Sequence, residues 1–594
     1  MHKAKTTHGR YRMEQEQRIR DSQAQYEGED TSLTRAKELA AWYSYSFAAE
    51  VFILCGVGSF IPIILEQVAR ENGVLLSDKT SSCTSDFSHR LSQVKFKSSI
   101  NLEPCVIFLF GAQINTASFA MYTFSVSVLF QALVVISISC AADKGNYRKR
   151  LLLIFAYGGA LTTMLFLFLG PKTYLLAAFL TIISNTCCGA SFVLLNSFLP
   201  LLVRHHPKAQ HKIQCPALEP DIGVTYSTPN ASINTENSRE PGIRTPLLAH
   251  LNGDSSLNRG EISTELQLST QISSKGIGAG YCAGLLVECI SIFIIWEMGS
   301  TTFSIQLALF LVGLWWAIFS IPAIHGFCSR PGPPLIMTKT VEFSKIKRLI
   351  AYIGHAWLSL WRTIKQAHRL KDATIFLIAW FLISDSIATV SGTAILYAKV
   401  TLNMTPEKLG LINIVTIMAG ILGALSWPLI SRILSLKPNG VILACIFAFE
   451  MIPLYGLLGY LPIVKYWGVL GLQRPWEMYP LGFIYGFILG GLSSYCRSMY
   501  GELVPPGSEA AFYSLYAITD KGSSIFGPAI VGAIIDKYGD IRPAFFFLAL
   551  LISLPGPLIW FIDMERGKRE CHELAKVLER HKRSYVHQDI QSRL

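Results

Sequence analysis

The chain is 594 residues long, 51% hydrophobic and only 15% charged. Soluble globular proteins carry about 25% charged residues, so a soluble globular chain is excluded. The net charge of +12 first suggests a nucleic-acid binder, but that reading does not survive placing the charges along the chain.

Residues 1–38 are polar and mixed in charge, and read as a tail without a signal-peptide core. Twelve apolar spans follow, at about 40–65, 116–140, 151–170, 174–202, 277–297, 304–325, 373–397, 409–430, 440–462, 478–499, 510–535 and 543–563. Residues 66–104 read as a loop. Residues 203–275 are rich in Pro, Ser, Asn and Thr, and read as a disordered insertion. Residues 326–372 form a linker in which Trp357, Leu360, Trp361 and Ile364 alternate with Lys365, His368 and Arg369. That pattern predicts an interfacial amphipathic helix over Ile350 to Leu370. The expected fold class is an all-α membrane protein of twelve transmembrane helices in two pseudo-symmetric six-helix bundles, 39–325 and 373–563, with a tail at 564–594.

With both termini on one side, the segments on that side hold about three times as many Lys and Arg as those opposite. That side is expected to be cytosolic. The positive charge is therefore a topological label facing the lipid bilayer, and no nucleic acid is expected as a partner. The halves also repeat locally: Trp42 is followed by Ser46 and Glu50, and Trp380 by Ser384 and Asp385.

Ionisable groups inside spans cost on the order of 2.5–3.5 kcal/mol each at a helix centre, and so are candidates for function. They are Glu50, Glu288, Asp385, Glu450, Asp520 and Lys521. Asp520 and Lys521 are adjacent and point in different directions on a helix, so each needs a partner elsewhere. Ser523 and Ser524 follow, and then Gly527-Pro528, which can break the helix beside a cavity. This stretch either faces substrate or carries an ion pair that locks it to a neighbour. A zwitterionic solute would meet Glu50 or Asp385 with its ammonium, and Lys521 or a helix N-terminus with its carboxylate. Glu50 or Asp385 would also suit proton coupling.

Cys83 and Cys105 lie near the ends of one polar loop. Disulfide and free thiols are both open readings there. Gly276, Gly280 and Gly284, and likewise Gly482, Gly486 and Gly490, recur every four residues. These faces suit internal helix packing rather than a dimer seam, and a monomer is expected. No metal or other cofactor is expected, because the His residues fall in tails, loops or a span end, and no P-loop or Gly-x-Ser-x-Gly motif occurs. The sequon at Asn230 falls on the cytosolic side, and the one at Asn403 lies close to the membrane. Glu240 stands too far ahead of Leu247-Leu248 for an acidic dileucine signal.

Asp143-Lys144-Gly145-Asn146-Tyr147-Arg148-Lys149-Arg150 resembles the loop signature of the major facilitator superfamily, with the glycine displaced. The resemblance implies a gating latch in which Asp143, with Arg148, meets the N-terminal dipole of the eleventh span. Trp42 to Phe52, Asn115 to Phe119, and Pro505-Pro506-Gly507-Ser508-Glu509 with Tyr516 through Pro528 are similar to the fungal autophagy-related protein 22 family of that superfamily. That resemblance implies a vacuolar membrane transporter and not an enzyme. It would export neutral, leucine-like amino acids to the cytosol after autophagic breakdown, with a proton as the possible second partner. The missing Gly-Pro pattern in the fifth span favours uniport or symport over antiport. The alternatives are a nucleoside or sugar carrier, or a non-transporting scaffold or sensor working through residues 203–275.

Overall fold

The computed structural model describes residues 30–591, apart from 31, 77–80, 84–104, 110, 144–146, 171, 208–255, 300, 329, 331–344 and 506–508. The sequon at Asn230 and the stretch from Glu240 to Leu248 lie outside the described residues, as do the side chains of Asp143 and Lys521.

In hydrocarbon a backbone must satisfy its own hydrogen bonds, so the apolar blocks fold as helices. In chain order these are α1 (Ala36–Val51), a π-helical segment (Phe52–Phe60), α2 (Ile61–Glu71), α3 (Thr116–Asp143), α4 (Arg148–Met164), α5 (Tyr174–Arg204), α6 (Ser256–Glu297), α7 (Thr302–Phe319) and α8 (Ile321–Gly326). The amphipathic α9 (Lys345–Ala367) separates these from α10 (Lys371–Val400), α11 (Pro406–Ile433), α12 (Pro438–Leu458), α13 (Pro462–Trp467), α14 (Met478–Glu502), α15 (Glu509–Gly522), α16 (Phe526–Tyr538), α17 (Ala544–Ser553), α18 (Pro555–Trp560) and α19 (Met564–Gln591). Among the described residues nine helices, counting α1 through α2 as one, are long and apolar enough to cross a membrane. The tenth to twelfth expected spans correspond to α14, to the pair α15 and α16, and to the pair α17 and α18. The last two are broken by glycine or proline.

Two sequence expectations are corrected. The loop expected from residue 66 begins only after Glu71, because Glu66 and Arg70 pair across one helical turn and extend the helix. Its far end closes as a small antiparallel sheet of β1 (Val74–Leu75), β2 (Cys105–Leu109) and β3 (Ala112–Asn115), with Cys83 disulfide-bonded to Cys105. The insertion expected to be disordered to residue 275 is helical from Ser256, since an established span propagates cheaply into adjoining helix-compatible residues. The tail expected at 564–594 carries α19.

Both glycine stripes are sites of close approach. A Cβ on Gly276, Gly280 or Gly284 would fall within 2.5 Å of Trp42, Glu50 or Leu54 respectively, so α6 lies directly on α1 and the π segment. Gly486 and Gly490 meet the carbonyls of Thr416 and Gly420 at 2.1 Å in the same construction, which seats α14 against α11.

Each half is closed on the face where α1 and α10 begin (the near face) by an ion pair joining its first helix to the chain beyond its last. In the first half Arg330 bonds Glu38 at 2.9 Å, and both are buried. In the second, Arg566 grips Asp372 with two bonds of 2.7 and 2.8 Å. Across that face α9 packs on α3 and α15, and Trp357 Nε1 donates to Ser137 Oγ at 3.3 Å. Removing one partner of a buried pair strands the other's charge. Arg330→Ala is therefore expected to cost ~3–5 kcal/mol of stability. Arg566→Ala should cost less, because Arg566 is 42% exposed and water can replace it. Thermal unfolding of purified protein followed by tryptophan fluorescence checks this; unchanged midpoints in both variants would remove the clamps from the account.

Candidate functional site

The two halves meet along the π segment, α2, α3, α5 and α6 on one side and α10, α11, α15 and α16 on the other. On the far face this seam is tied. Glu66 is fully buried and accepts bonds from Lys399 and Arg70, each at 2.7 Å, and from Thr116 at 3.3 Å. Lys399 also donates to the Ile63 carbonyl. Beside it Asp536 accepts the Asn115 N–H and the Tyr122 hydroxyl, both at 2.8 Å. The Ser118 hydroxyl reaches the Gly532 carbonyl at 3.0 Å. Glu66 and Lys399 were not among the expected intramembrane charges, because each falls where a loop was expected to begin. The Glu66 to Arg70 spacing was the available signal.

Nearer the middle of the seam, Glu50 is 7% exposed on α1 and packs against the glycine face of α6. The phenol of Tyr281, one helical position beyond Gly280, feels both the negative charge of Glu50 and the positive charge of Arg497. Arg497 sits near the end of α14, so the two halves contribute opposite charges to one region. Arg497 is missing from the sequence-based set because it stands beside an expected span end, where basic residues ordinarily mark topology. Tyr485 of α14 is within electrostatic range of Tyr281. It also lines a cavity of about 100 Å³ shared with Ser391, Asn413, Thr416, Leu481 and Gly58.

Asp385 has a defined local task. The helix breaks after Gly522, and Ser523 and Ser524 occupy the break. The first turn of α16 then presents the Gly527 N–H to Asp385, 3.2 and 3.1 Å from its two carboxylate oxygens, while the Thr389 hydroxyl donates at 3.3 Å. A carboxylate at a helix N-terminus satisfies an orphan donor and the helix dipole together. Asp520 accepts the Ser384 hydroxyl at 3.0 Å on both its carbonyl and its carboxylate, and Ser523 bonds the same carbonyl. The seventh and eleventh expected spans are thus joined through Ser384, Asp385, Asp520 and Ser523, the residues singled out in the sequence.

The other candidates lie apart from this group. Glu288 is fully buried on α6 and accepts the Ser59 hydroxyl at 2.9 Å. Glu450 is half-buried on α12, which packs on α14, α17 and α18 of its own half. Arg148 opens α4, is 8% exposed and stacks its guanidinium 5.4 Å from the Phe198 ring centroid. Asp143 ends α3.

Asn and Asp cap helices about equally well, whereas Ala forfeits ~1 kcal/mol. Asp385→Ala is expected to lower stability by that amount and Asp385→Asn to leave it near wild type, in the thermal unfolding assay. A transport loss in the Asn variant without a stability loss would assign the charge itself to the transport cycle.

A family profile described as vacuole effluxer Atg22 like matches residues 34–572. The autophagy-related protein 22-2 of Sclerotinia sclerotiorum is 62% identical over 572 residues, covering 94% of this chain and 85% of that protein. The autophagy-related protein 22 of Botryotinia fuckeliana is 62% identical over 574 residues, with the same two coverages. Among solved structures, a POT family transporter in complex with 5-aminolevulinic acid superimposes with a TM-score of 0.51 at 13% identity. It covers 90% of this chain and 99% of that one, a likeness of fold alone.

Proposed function

The chain belongs to the Atg22-like vacuole effluxer family, a multi-pass membrane transporter rather than an enzyme, and from that premise we propose that it exports neutral amino acids from the vacuole lumen to the cytosol by alternating access. The observation that carries this reading is the pair of opposite charges that the two halves bring to Tyr281, Glu50 from the first and Arg497 from the second. A free amino acid carries an ammonium and a carboxylate on one carbon, and a site with an anion and a guanidinium from opposing halves is complementary to both. Binding across the seam draws the halves together, which is the coupling that a rocking transporter requires. The cavity beyond Tyr485 offers apolar walls to the side chain.

The direction follows from charge. The Lys- and Arg-rich near face lies in the cytosol, and the tied far face, with its disulfide, lies in the lumen.

Purified protein in proteoliposomes, loaded with unlabelled solute and offered labelled leucine, a nucleoside or xylose, tests the reading by counterflow. Leucine exchange is expected, with losses of about 10- to 100-fold in Glu50→Gln and in Arg497→Ala, the range for losing one charge-assisted bond. Exchange of the nucleoside or the sugar with none of leucine would overturn the substrate class.

A further inference from the structure

A second carboxyl group has a place in the fold that substrate binding does not use. Glu288 sits where α6, the π segment and α11 converge on the seam between the halves. Its side chain is 0% exposed. One oxygen accepts the Ser59 hydroxyl at 2.9 Å, and among the described residues the other finds no hydrogen-bond partner. Cys55 and Asn413 approach the carboxyl while donating to backbone carbonyls, Cys55 to Gly284 at 3.3 Å and Asn413 to Leu54 at 3.0 Å. A Cβ on Gly410 would fall 3.3 Å from the bonded oxygen, so α11 of the second half closes over the acid.

The surroundings hold no described ion pair for this carboxyl. Cys55 is the titratable group facing it from the π segment. Glu50 lies farther along α1, and α5 carries Cys187 and Cys188. α7 carries no titratable side chain, and Glu407 and Lys408 stand at the start of α11, about one turn before Gly410. An incompletely paired carboxylate in a low-dielectric layer is costly, and a bound proton removes that cost. The local backbone is π-helical from Phe52 to Phe60, a departure that recurs at functional sites and here aims Ser59 at the acid.

We propose that Glu288 is the proton-loading site of the transport cycle, taking a proton from the far side while the seam is parted and holding it while α11 closes over the acid. This rests on the transport reading but not on the identity of the solute. Loading transfers a proton from hydronium on the acidic side to the carboxylate, leaving a water molecule behind. Unloading returns the proton to water admitted when the seam around Asn413 and the adjoining cavity becomes wet. Because the ionised form tolerates only the wet state and the neutral form suits the dry one, proton binding biases the far face toward closure.

Infrared difference spectroscopy on purified protein in nanodiscs, titrated from mildly acid to mildly alkaline pH, reads the group directly. A carboxylic-acid carbonyl band present in wild type and absent in Glu288→Gln is expected. Ser59→Ala should shift that band by removing the bond to the bonded oxygen, and this gives a readout should the Gln variant fold poorly. In proteoliposomes, leucine flux is expected to rise with an acidic interior in wild type, to become independent of the gradient in Glu288→Gln, and to recover part of its dependence in Glu288→Asp. No Glu288-dependent band at any pH, or full gradient dependence in the Gln variant, would overturn the proposal. A band that behaves as expected with no leucine flux in wild type would support the site while overturning the amino-acid reading.

Discussion

Charge in a low-dielectric layer must find an opposite charge, a helix end or a proton, and the architecture of this protein follows from how each case is met. At the near face, Glu38 with Arg330 and Asp372 with Arg566 join residues of the same half. At the far face, Glu66 with Lys399 joins residues of different halves. That asymmetry gives each bundle its own closure and leaves the bundles free to part at the far face once a single set of contacts is released. The pseudo-symmetric clamps are offset by about one helical turn relative to the Trp42 and Trp380 repeats, so the halves share a plan without superimposing residue by residue.

The broken helix illustrates the second case. α15 and α16 cannot run on as one rod through Ser523, Ser524 and the Gly527-Pro528 pair, and the freed donor at Gly527 is met by Asp385 from α10. A charge whose position suggested substrate recognition therefore has a structural task, whereas Glu50 and Arg497 bring charge to the seam from opposite halves. Glu288, which has no hydrogen-bond partner on one oxygen among the described residues, is the third case, and the proton proposed there would do what a counter-ion does elsewhere.

Much of the site was legible in the sequence, and the omissions share a cause. Glu50, Asp385, Asp520 and Ser523 stand inside apolar runs, where a single polar residue is conspicuous. Glu66, Lys399 and Arg497 stand at the edges of those runs. There hydropathy cannot separate a buried charge from an ordinary loop residue, because only the length of the helix beyond the apolar stretch decides which it is. Helix from Ser256 was missed for the same reason: polar sequence is compatible with helix when an adjoining element has already nucleated it.

By itself the sequence determined that the chain is a predominantly helical membrane protein, and it set the uneven spread of positive charge between the spans. It also carried the resemblance that identified the family. These are properties of local composition and order, which the bilayer reads directly through hydrophobic length and charge. Only the tertiary structure decided which charges pair within a half and which across the seam, that Asp385 caps a helix, and that Glu288 is sealed by α11. Those outcomes depend on helices far apart in sequence meeting at distances of a few ångströms, and no local pattern encodes that geometry.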